Sequence, residues 1–136
     1  MDLDRARAFV AQQHYAVLAT TRKDGTPQLS PVLVAVDGDG HVVISTRKPT
    51  YKLRNIRRNP RVFLCVLSKG FFGQWIQLEG IAHVVELPDA MEPLVEYYRS
   101  ISGEHPNWDE YRAAMQREQR VLLRIELTRA GPIQSP

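Results

Sequence analysis

The sequence predicts a mainly β protein with inserted helices, in which six short antiparallel strands form a closed or partly closed barrel. Three observations favour this fold class. Apolar segments recur at short intervals, Asp24-Gly25 and Asp37-Gly38 mark turns between them, and helical spacing is confined to a few short stretches. At 136 residues, the chain is expected to form one domain over 1–136.

The N-terminal half begins with a short helix, predicted over residues 4–13, and continues as three strands. Asp24-Gly25 connects the first two strands as a hairpin. Pro31 cannot donate a hydrogen bond to a ladder, so it predicts an edge position or a bulge in the second strand. The three predicted strands span 15–21, 28–36 and 41–46.

A short basic helix, predicted over 51–59, separates these strands from the next pair. Thr50 is suited to cap its N-terminus, and Pro60 stops it. Two further helices precede the last strand, and the second of them has Asn107 as its cap with Glu110 completing a capping box. The remaining predicted strands span 61–67, 74–86 and 121–127.

The composition is that of an ordinary globular protein, with 43% hydrophobic and 24% charged residues. No apolar run is long enough to span a membrane, and the charged N-terminus lacks the apolar segment of a secretory signal. The single cysteine, Cys65, lies in an apolar run and is expected to be a buried, inert thiol. These features together predict a cytoplasmic protein.

Several kinds of site are not expected. The histidines His14, His41, His83 and His105 lie far apart in unrelated elements, which predicts no metal centre. No serine lies in a nucleophile-elbow context, and Cys65 is predicted to be buried. The glycine patterns of dinucleotide-binding domains and of P-loops do not occur, which excludes a Rossmann domain.

The strand-to-helix junction at 44–59 is the best candidate site because charge is most uneven there. Seven lysines and arginines fall within residues 47–61, which contain no acidic residue. A solvated basic face is one alternative. A nucleic-acid surface is another, but base-stacking proteins interleave aromatic residues with basic ones, and only Tyr51 does so here.

Phosphate binding is the chemistry that this junction favours. Ser45 and Thr46 offer hydroxyls at the end of a strand, and Thr50 offers another at the start of the helix. Lys52 lies in the first helical turn and can reach back toward the free backbone amides. Hydroxyls, unpaired amides and an ammonium at a helix start form a favourable phosphate site, assisted by the helix dipole.

Trp75 and Gln77 alternate along the fifth strand with apolar neighbours. Trp75 has a ring that can stack on a planar ligand, and Gln77 has an amide that can bond the polar edge of such a ligand. The alternative is a packed core tryptophan beside an exposed glutamine.

Several segments, in order and spacing, resemble the pyridoxamine 5′-phosphate oxidase-like split-barrel superfamily: 15–20, 24–28, 52–62 and 79–82. The segments 98–105 and 108–112 resemble one branch of it, the actinobacterial deazaflavin-dependent reductases that use coenzyme F-420. The likeness extends from about Ala8 to Pro132.

The resemblance implies a six-stranded, FMN-binding type of split barrel that forms a homodimer, with two cofactor sites at the interface between subunits. The strand around Pro31 is expected to run beside the cofactor ring, and Trp75 and Gln77 to reach the cofactor from the other subunit. Combined with the junction residues, the expected cofactor-binding set is Gln28, Ser30, Pro31, Val32, Ser45, Thr46, Thr50, Lys52, Asn55, Trp75 and Gln77.

Two departures from the family pattern affect these expectations. Relatives in the branch often have arginine where Thr50 stands, so one phosphate contact is missing or is replaced by Lys48 or Arg47. Oxidases of pyridoxamine phosphate carry a C-terminal Arg-x-His, which residues 128–133 lack. Vitamin B6 oxidation is therefore not expected.

The resemblance implies hydride transfer from a reduced deazaflavin to an unsaturated small molecule. No single acid or base is identified as catalytic, since the proton can come from solvent or from a nearby arginine or lysine. The first alternative is an FMN-binding oxidase or reductase of the same fold. The second is a binding protein that holds a flavin or deazaflavin without turnover, and nucleic-acid binding is a distant third.

Overall fold

The computed structural model describes residues 1–133, which form four helices and seven strands. In chain order these are α1 (Leu3–Gln12), β1 (Tyr15–Thr21), β2 (Pro27–Leu33), β3 (Ala35–Val36), β4 (Val42–Arg47), α2 (Tyr51–Arg58), β5 (Arg61–Leu67), β6 (Trp75–Val85), α3 (Met91–Ser102), α4 (Trp108–Arg117) and β7 (Arg120–Ala130). None of the helices in these residues is long and apolar enough to cross a membrane.

All strands belong to one antiparallel sheet with the order β2-β1-β5-β6-β7-β4-β3. β2 and β3 are separated along the chain only by Val34, yet they lie at opposite ends of this order. The sheet must therefore curl so that its two edges approach each other, and it forms a half-barrel. The mainly β, barrel-like prediction is confirmed.

The prediction of six strands is wrong by one, because the segment predicted as a single strand over 28–36 divides into β2 and β3. At the division, the Val34 amide donates to the His14 carbonyl (2.8 Å), one position beyond the last β1–β2 pair, and the next residue, Ala35, pairs with Val43 of β4. The chain can then leave one edge of the sheet and join the other. Pro31 lies in β2, where it pairs with Val17 of β1. β2 is an edge strand, as the missing amide of Pro31 predicts.

Two apolar clusters lie on opposite faces of β4 and β7. Ile44 and Leu123 face the barrel interior, where they pack in one cluster with residues of α1 and α2. Val43 and Leu122 face outward and pack in a second cluster with Leu94, Tyr111 and other residues of α3 and α4. Alternation along the strands thus fills the barrel and also fixes the α3–α4 hairpin on its outer surface.

The predicted helix caps are confirmed, with one difference. Thr50 accepts from the Leu53 amide (3.4 Å) and Asn107 from the Glu110 amide (3.1 Å). The capping box is not completed, because the Asn107 amide donates to His105 Nδ1 (2.9 Å) and Glu110 pairs with Arg117. Strand β7 is also longer than predicted.

Cys65, which was expected to be buried, is only half-buried. It lies on β5 opposite Val17 of β1, and its neighbours Leu64 and Val66 fill the core. Burial still raises the pKa of its thiol. The side chain therefore belongs to the outer face of the sheet and not to the barrel interior.

Candidate functional site

A cleft of about 930 Å³ lies between the β1–β2 edge of the sheet, the junction of β4 with α2, and the α3–α4 hairpin. Its size is that of a typical small-molecule site. Six of the predicted cofactor-binding residues line it: Pro31, Val32, Ser45, Thr46, Thr50 and Lys52. The curled sheet brings the β2 residues and the junction together because β2 passes beside β4 before the chain crosses to β3.

The Lys52 ammonium stands at a cationic end of the cleft. Its pKa is lowered, chiefly because burial removes it from water, and further because Arg120 and Arg47 lie nearby. Arg47 and Arg120 are cross-strand partners on β4 and β7, and Arg120 also pairs with Glu118 (2.8 Å). Three cations against one carboxylate leave this end with excess positive charge.

Arg120 and Glu118 are absent from the predicted site. Arg120 begins β7 and is distant in sequence from the junction, and only the register of β7 on β4 brings it beside Arg47. Arg47 itself was predicted only as a possible replacement for a missing arginine. No local signal in the sequence places Arg120 beside Arg47 and Lys52.

The Thr50 hydroxyl is already engaged within the protein. It donates to the Arg47 carbonyl (3.0 Å) and accepts from the Leu53 amide, so it orders the first turn of α2. Thr46 lines the cleft but is almost fully buried, and Ser45 is half-buried. These three hydroxyls therefore have fewer hydrogen bonds left to offer a ligand than the cations around Lys52 do.

Asn55 of α2 is buried and organises its neighbours. Its amide nitrogen donates to Thr20 Oγ1 (3.0 Å) and to Gln28 Oε1 (3.3 Å), while its oxygen accepts from Arg58 (2.9 Å). Gln28, in turn, lines a smaller pocket of about 280 Å³ together with Ser30, Thr50 and Lys52. Asn55 is thus placed to hold Gln28 and not to present its own amide to a ligand.

Tyr97 of α3 bridges the split in the barrel, a role that the sequence did not indicate. Its hydroxyl donates to the Leu33 carbonyl (2.9 Å) at the end of β2. Burial raises the pKa of Tyr97, and the nearby Ser45 backbone and Arg120 act to lower it. Tyr97 therefore fixes α3 to the end of β2 close to β4, and β2 and β4 do not pair with each other in the sheet.

The helical wall of the cleft is aromatic. Tyr98, His105, Tyr111 and Met115 line it, whereas Trp108 is not among the lining residues. Tyr111 donates to the Leu94 carbonyl (2.7 Å), and burial raises the pKa of Tyr111 to about 12. Tyr98 and Met115 belong to the apolar cluster that packs α3 and α4 on the sheet, and both also face the cleft.

Trp75 and Gln77 do not join this cleft within one chain. Both line a separate pocket of about 290 Å³ with Glu79 and Arg129 on the outer side of β6. Trp75 is half-buried and Gln77 is exposed. Their expected contact with a cofactor bound by the other subunit stays a prediction.

Three potential metal ligands do lie together, in the turn before β4. Ligand atoms of Asp37, Asp39 and His41 fall within 4.8 Å of one another. The Asp37 carboxylate accepts from the amides of Asp39 and His41 (both 2.9 Å) and faces Arg124 (3.4 Å). These contacts account for the cluster as an ordered turn, and the expectation of no metal centre stays a prediction.

Comparison with known proteins identifies the relatives of this chain. Residues 3–133 match the family described as pyridoxamine 5′-phosphate oxidase. The chain is 28% identical over 127 residues to a biliverdin reductase of Mycobacterium tuberculosis that depends on reduced coenzyme F-420, covering 93% of this chain and 84% of that protein.

Solved structures share the fold. A conserved hypothetical protein of Mycobacterium tuberculosis aligns with a TM-score of 0.77 at 27% identity, covering 96% of this chain and 82% of the other. A protein described as an F-420 reductase aligns with a TM-score of 0.70 at 23% identity, covering 92% and 94%. At 23% identity, the likeness to the F-420 reductase shows a shared fold only.

Proposed function

The chain belongs to the pyridoxamine 5′-phosphate oxidase family, and on that premise we propose that it is an oxidoreductase dependent on coenzyme F-420. When bound, the reduced deazaflavin supplies a hydride to an unsaturated small-molecule substrate. The residues of the cleft bind, orient and shield the two molecules. The likeness to the mycobacterial biliverdin reductase supports this choice of cofactor, and the substrate of this chain is proposed only by class.

The main support for the proposal is the cationic end of the cleft. A protonated Lys52 that is partly removed from water and faces Arg47 and Arg120 is costly in the free protein. A phosphate group offsets that cost, because it restores counter-charge and accepts several hydrogen bonds. The donor set therefore fits the phosphate tail that flavins and deazaflavins share.

The strand β2 supplies the proposed wall for the cofactor ring. Pro31 and Val32 offer a largely apolar surface, and Gln28 and Ser30 offer polar groups next to the Lys52 end. Asn55 holds the Gln28 side chain in place. Gln28 is thereby oriented before a ligand arrives, which lowers the entropic cost of binding.

We also propose a homodimer formed through the outer face of the sheet. Large apolar side chains are exposed there, with Leu29 64%, Tyr15 47% and Leu33 42% accessible. The same face carries the half-buried Leu67 of β5, opposite Tyr15. A contiguous exposed apolar surface of this kind is typical of a protein interface.

The cleft opens onto this same face, so a second copy would complete the site. Tyr15, Leu33 and Leu67 line the cleft and form one row across three strands. Trp75 continues that row on β6, opposite Leu67, and Gln77 lies two residues further along. A partner docked here would bring its own copies of these residues toward the cofactor.

The test is titration of purified protein with coenzyme F-420 and, separately, with FMN, followed by intrinsic tryptophan fluorescence. Tight deazaflavin binding with weak FMN binding supports the proposal. Preference for FMN moves the chain to the flavin-dependent members of the family. Binding of neither refutes the phosphate site and leaves residues 47–61 as a solvated basic face.

Turnover separates a reductase from a carrier. The absorbance of reduced coenzyme F-420 is followed with quinones, tetrapyrroles and unsaturated lactones as candidate acceptors. Acceptor-dependent oxidation supports the enzyme, whereas tight binding without oxidation by any acceptor favours a binding protein.

A cytoplasmic location is part of the same proposal and is consistent with the free thiol of Cys65.

A further inference from the structure

The turn between β5 and β6 presents two neighbouring phenylalanine side chains to solvent. Phe71 and Phe72 are 68% and 75% exposed, more than any other large apolar side chain in residues 1–133. Neither ring lines the cleft of its own chain. We call residues 68–74 the Phe turn. Two adjacent exposed rings are costly in water, which indicates a surface that another molecule covers.

Hydrogen bonds hold the Phe turn in this outward position. The Phe71 amide donates to the Ser68 carbonyl (2.9 Å), which closes the turn on itself. The Lys69 amide donates to Gln13 Oε1 (3.1 Å), which ties the turn to the end of α1. To fold its rings back onto its own chain, the turn would have to break these bonds.

Phe71 adopts a backbone conformation that suits glycine better. Its φ is 67°, in the left-handed region, whereas neither Gly70 nor Gly73 of the same turn has a positive φ. A bulky residue at such an angle is uncommon, because its Cβ crowds the backbone. A phenylalanine where glycine would be relaxed indicates that the ring serves a contact outside the turn.

The Phe turn extends the apolar outer face of the sheet. Leu67 and Trp75 form the last pair of the β5–β6 ladder before the turn. Leu67 is also opposite Tyr15, and Tyr15 is opposite Leu33 of β2. Since Leu33, Tyr15 and Leu67 line the cleft, the turn lies at the end of the face where the cleft opens.

A dimer formed through this face has two possible orientations, because its two-fold axis can run across the strands or along them. An axis across the strands would place each Phe turn at the partner's β1–β2 turn. Residues 22–26 of that turn are all exposed, three of them are charged, and the Arg58 guanidinium donates to a backbone carbonyl beside it (3.1 Å). That end of the face offers the rings no apolar surface.

An axis along the strands avoids this mismatch. It reverses the order of the strands across the face and keeps their ends aligned. The Phe turn, on the β5–β6 side of one protomer, would then lie over the β2–β1 side of its partner, at the end marked by Leu33 and Tyr15. Apolar surface meets apolar surface in this orientation only.

We propose that the Phe turn of one protomer packs against the mouth of its partner's cleft, so that each cleft is closed by Phe71 and Phe72 of the partner subunit. This inference rests on the homodimer of the proposed function and is independent of the choice of cofactor. The contact would bury the two rings and exclude water from the cleft. A lipid surface also buries exposed rings, but the Phe turn has a single charged residue, Lys69, whereas loops that bind membranes combine apolar tips with several cations.

Photo-cross-linking tests the contact directly. Phe72 is replaced by p-benzoylphenylalanine, which keeps an aromatic side chain, and isotopically labelled and unlabelled chains are mixed to exchange subunits. The masses of the linked peptides then separate links within a chain from links between chains. The control carries the same probe in place of Lys23, which is exposed in the β1–β2 turn.

We expect the probe at position 72 to link between chains, to residues 31–34 or 97–105 of the partner subunit, and the probe at position 23 to form no link to those residues. In sedimentation, Phe71→Ser combined with Phe72→Ser should raise the dissociation constant of the dimer at least about tenfold. Tyr51→Ser removes an equally exposed ring from α2 and should leave that constant within about twofold. Unfolding midpoints establish that the variants are folded.

The inference is overturned by links within one chain only, by links to residues 22–26 of the partner subunit, or by an unchanged dimer dissociation constant in the double variant. Sedimentation with vesicles of phosphatidylcholine and phosphatidylserine, at about three to one, that depends on the two phenylalanines would also overturn it. A monomeric wild-type protein would remove both this inference and the proposed dimer. If the expected links form and neither coenzyme F-420 nor FMN binds, the inference stands and the cofactor assignment falls.

Discussion

Replacing Lys52 with methionine should change cofactor affinity and protein stability in opposite directions. The substitution keeps the aliphatic stem and removes the ammonium, so packing beside Arg47 and Arg120 is largely preserved. In the free protein, the lost charge is one that burial and two arginines disfavour. In the complex, it is the charge that a phosphate requires.

The expected loss of affinity is that of one charge-assisted hydrogen bond, about 1.5–3 kcal/mol, or roughly 10- to 150-fold in Kd. Stability should rise. A folded-state pKa below the ordinary 10.5 means that Lys52 weakens folding at neutral pH and that this cost is relieved as pH rises from the lowered value to 10.5. The Lys52→Met protein should therefore unfold at a higher urea concentration than wild type at pH 7. The rise in stability that wild type shows between the lowered pKa and 10.5 should be absent from the variant.

The assays are fluorescence titration with coenzyme F-420 and urea unfolding at pH 7 and pH 10. Lys23→Met, an exposed lysine in the β1–β2 turn, is the control and should change neither quantity. A Lys52→Met protein that binds the cofactor as wild type does would refute the phosphate assignment. One that binds weakly and is also less stable would refute the reasoning from desolvation and like charge.

Three further predictions concern the scaffold and the interface. Gly80→Ala should lower the free energy of unfolding by about 1–3 kcal/mol in urea denaturation, because its Cβ would lie 2.6 Å from the Glu126 carbonyl oxygen. Asn55→Ala should weaken cofactor binding severalfold in the same fluorescence titration and cost about 1–3 kcal/mol of stability, since Thr20 and Gln28 lose their buried partner. Leu29→Arg should shift the protein toward monomer in analytical ultracentrifugation, because it places a charge on the proposed interface.

Two of these predictions have a contrasting variant, and each has a result that would contradict it. Gly38→Ala meets no atom within 4 Å and should leave stability unchanged, so equal losses at both glycines would contradict the steric argument. Wild-type affinity in Asn55→Ala would mean that the position of Gln28 does not matter for the cofactor. Ala113→Arg, exposed on α4, should leave the association state unchanged, and a Leu29→Arg protein that sediments like wild type would remove the interface from this face.

Local signals in the sequence were sufficient for most of the elements. Apolar alternation and the Asp-Gly turn located β1 and the start of β2, and the missing amide of Pro31 correctly predicted an edge strand. The N-caps Thr50 and Asn107 follow from side-chain chemistry within four residues. Such signals depend on neighbours in the chain, which is why they can be read before the fold is known.

By itself, the sequence determined the β-rich class, the starts of α2 and α4, the family and the basic character of the segment that contains Lys52. Only the tertiary structure decided that the strand predicted over 28–36 divides at Val34, that Arg120 joins the cations, and that His105 faces the cleft. Each of these depends on strand register or on helix docking. Register is settled by which alternating faces are buried together over the whole sheet, and no local segment carries that information.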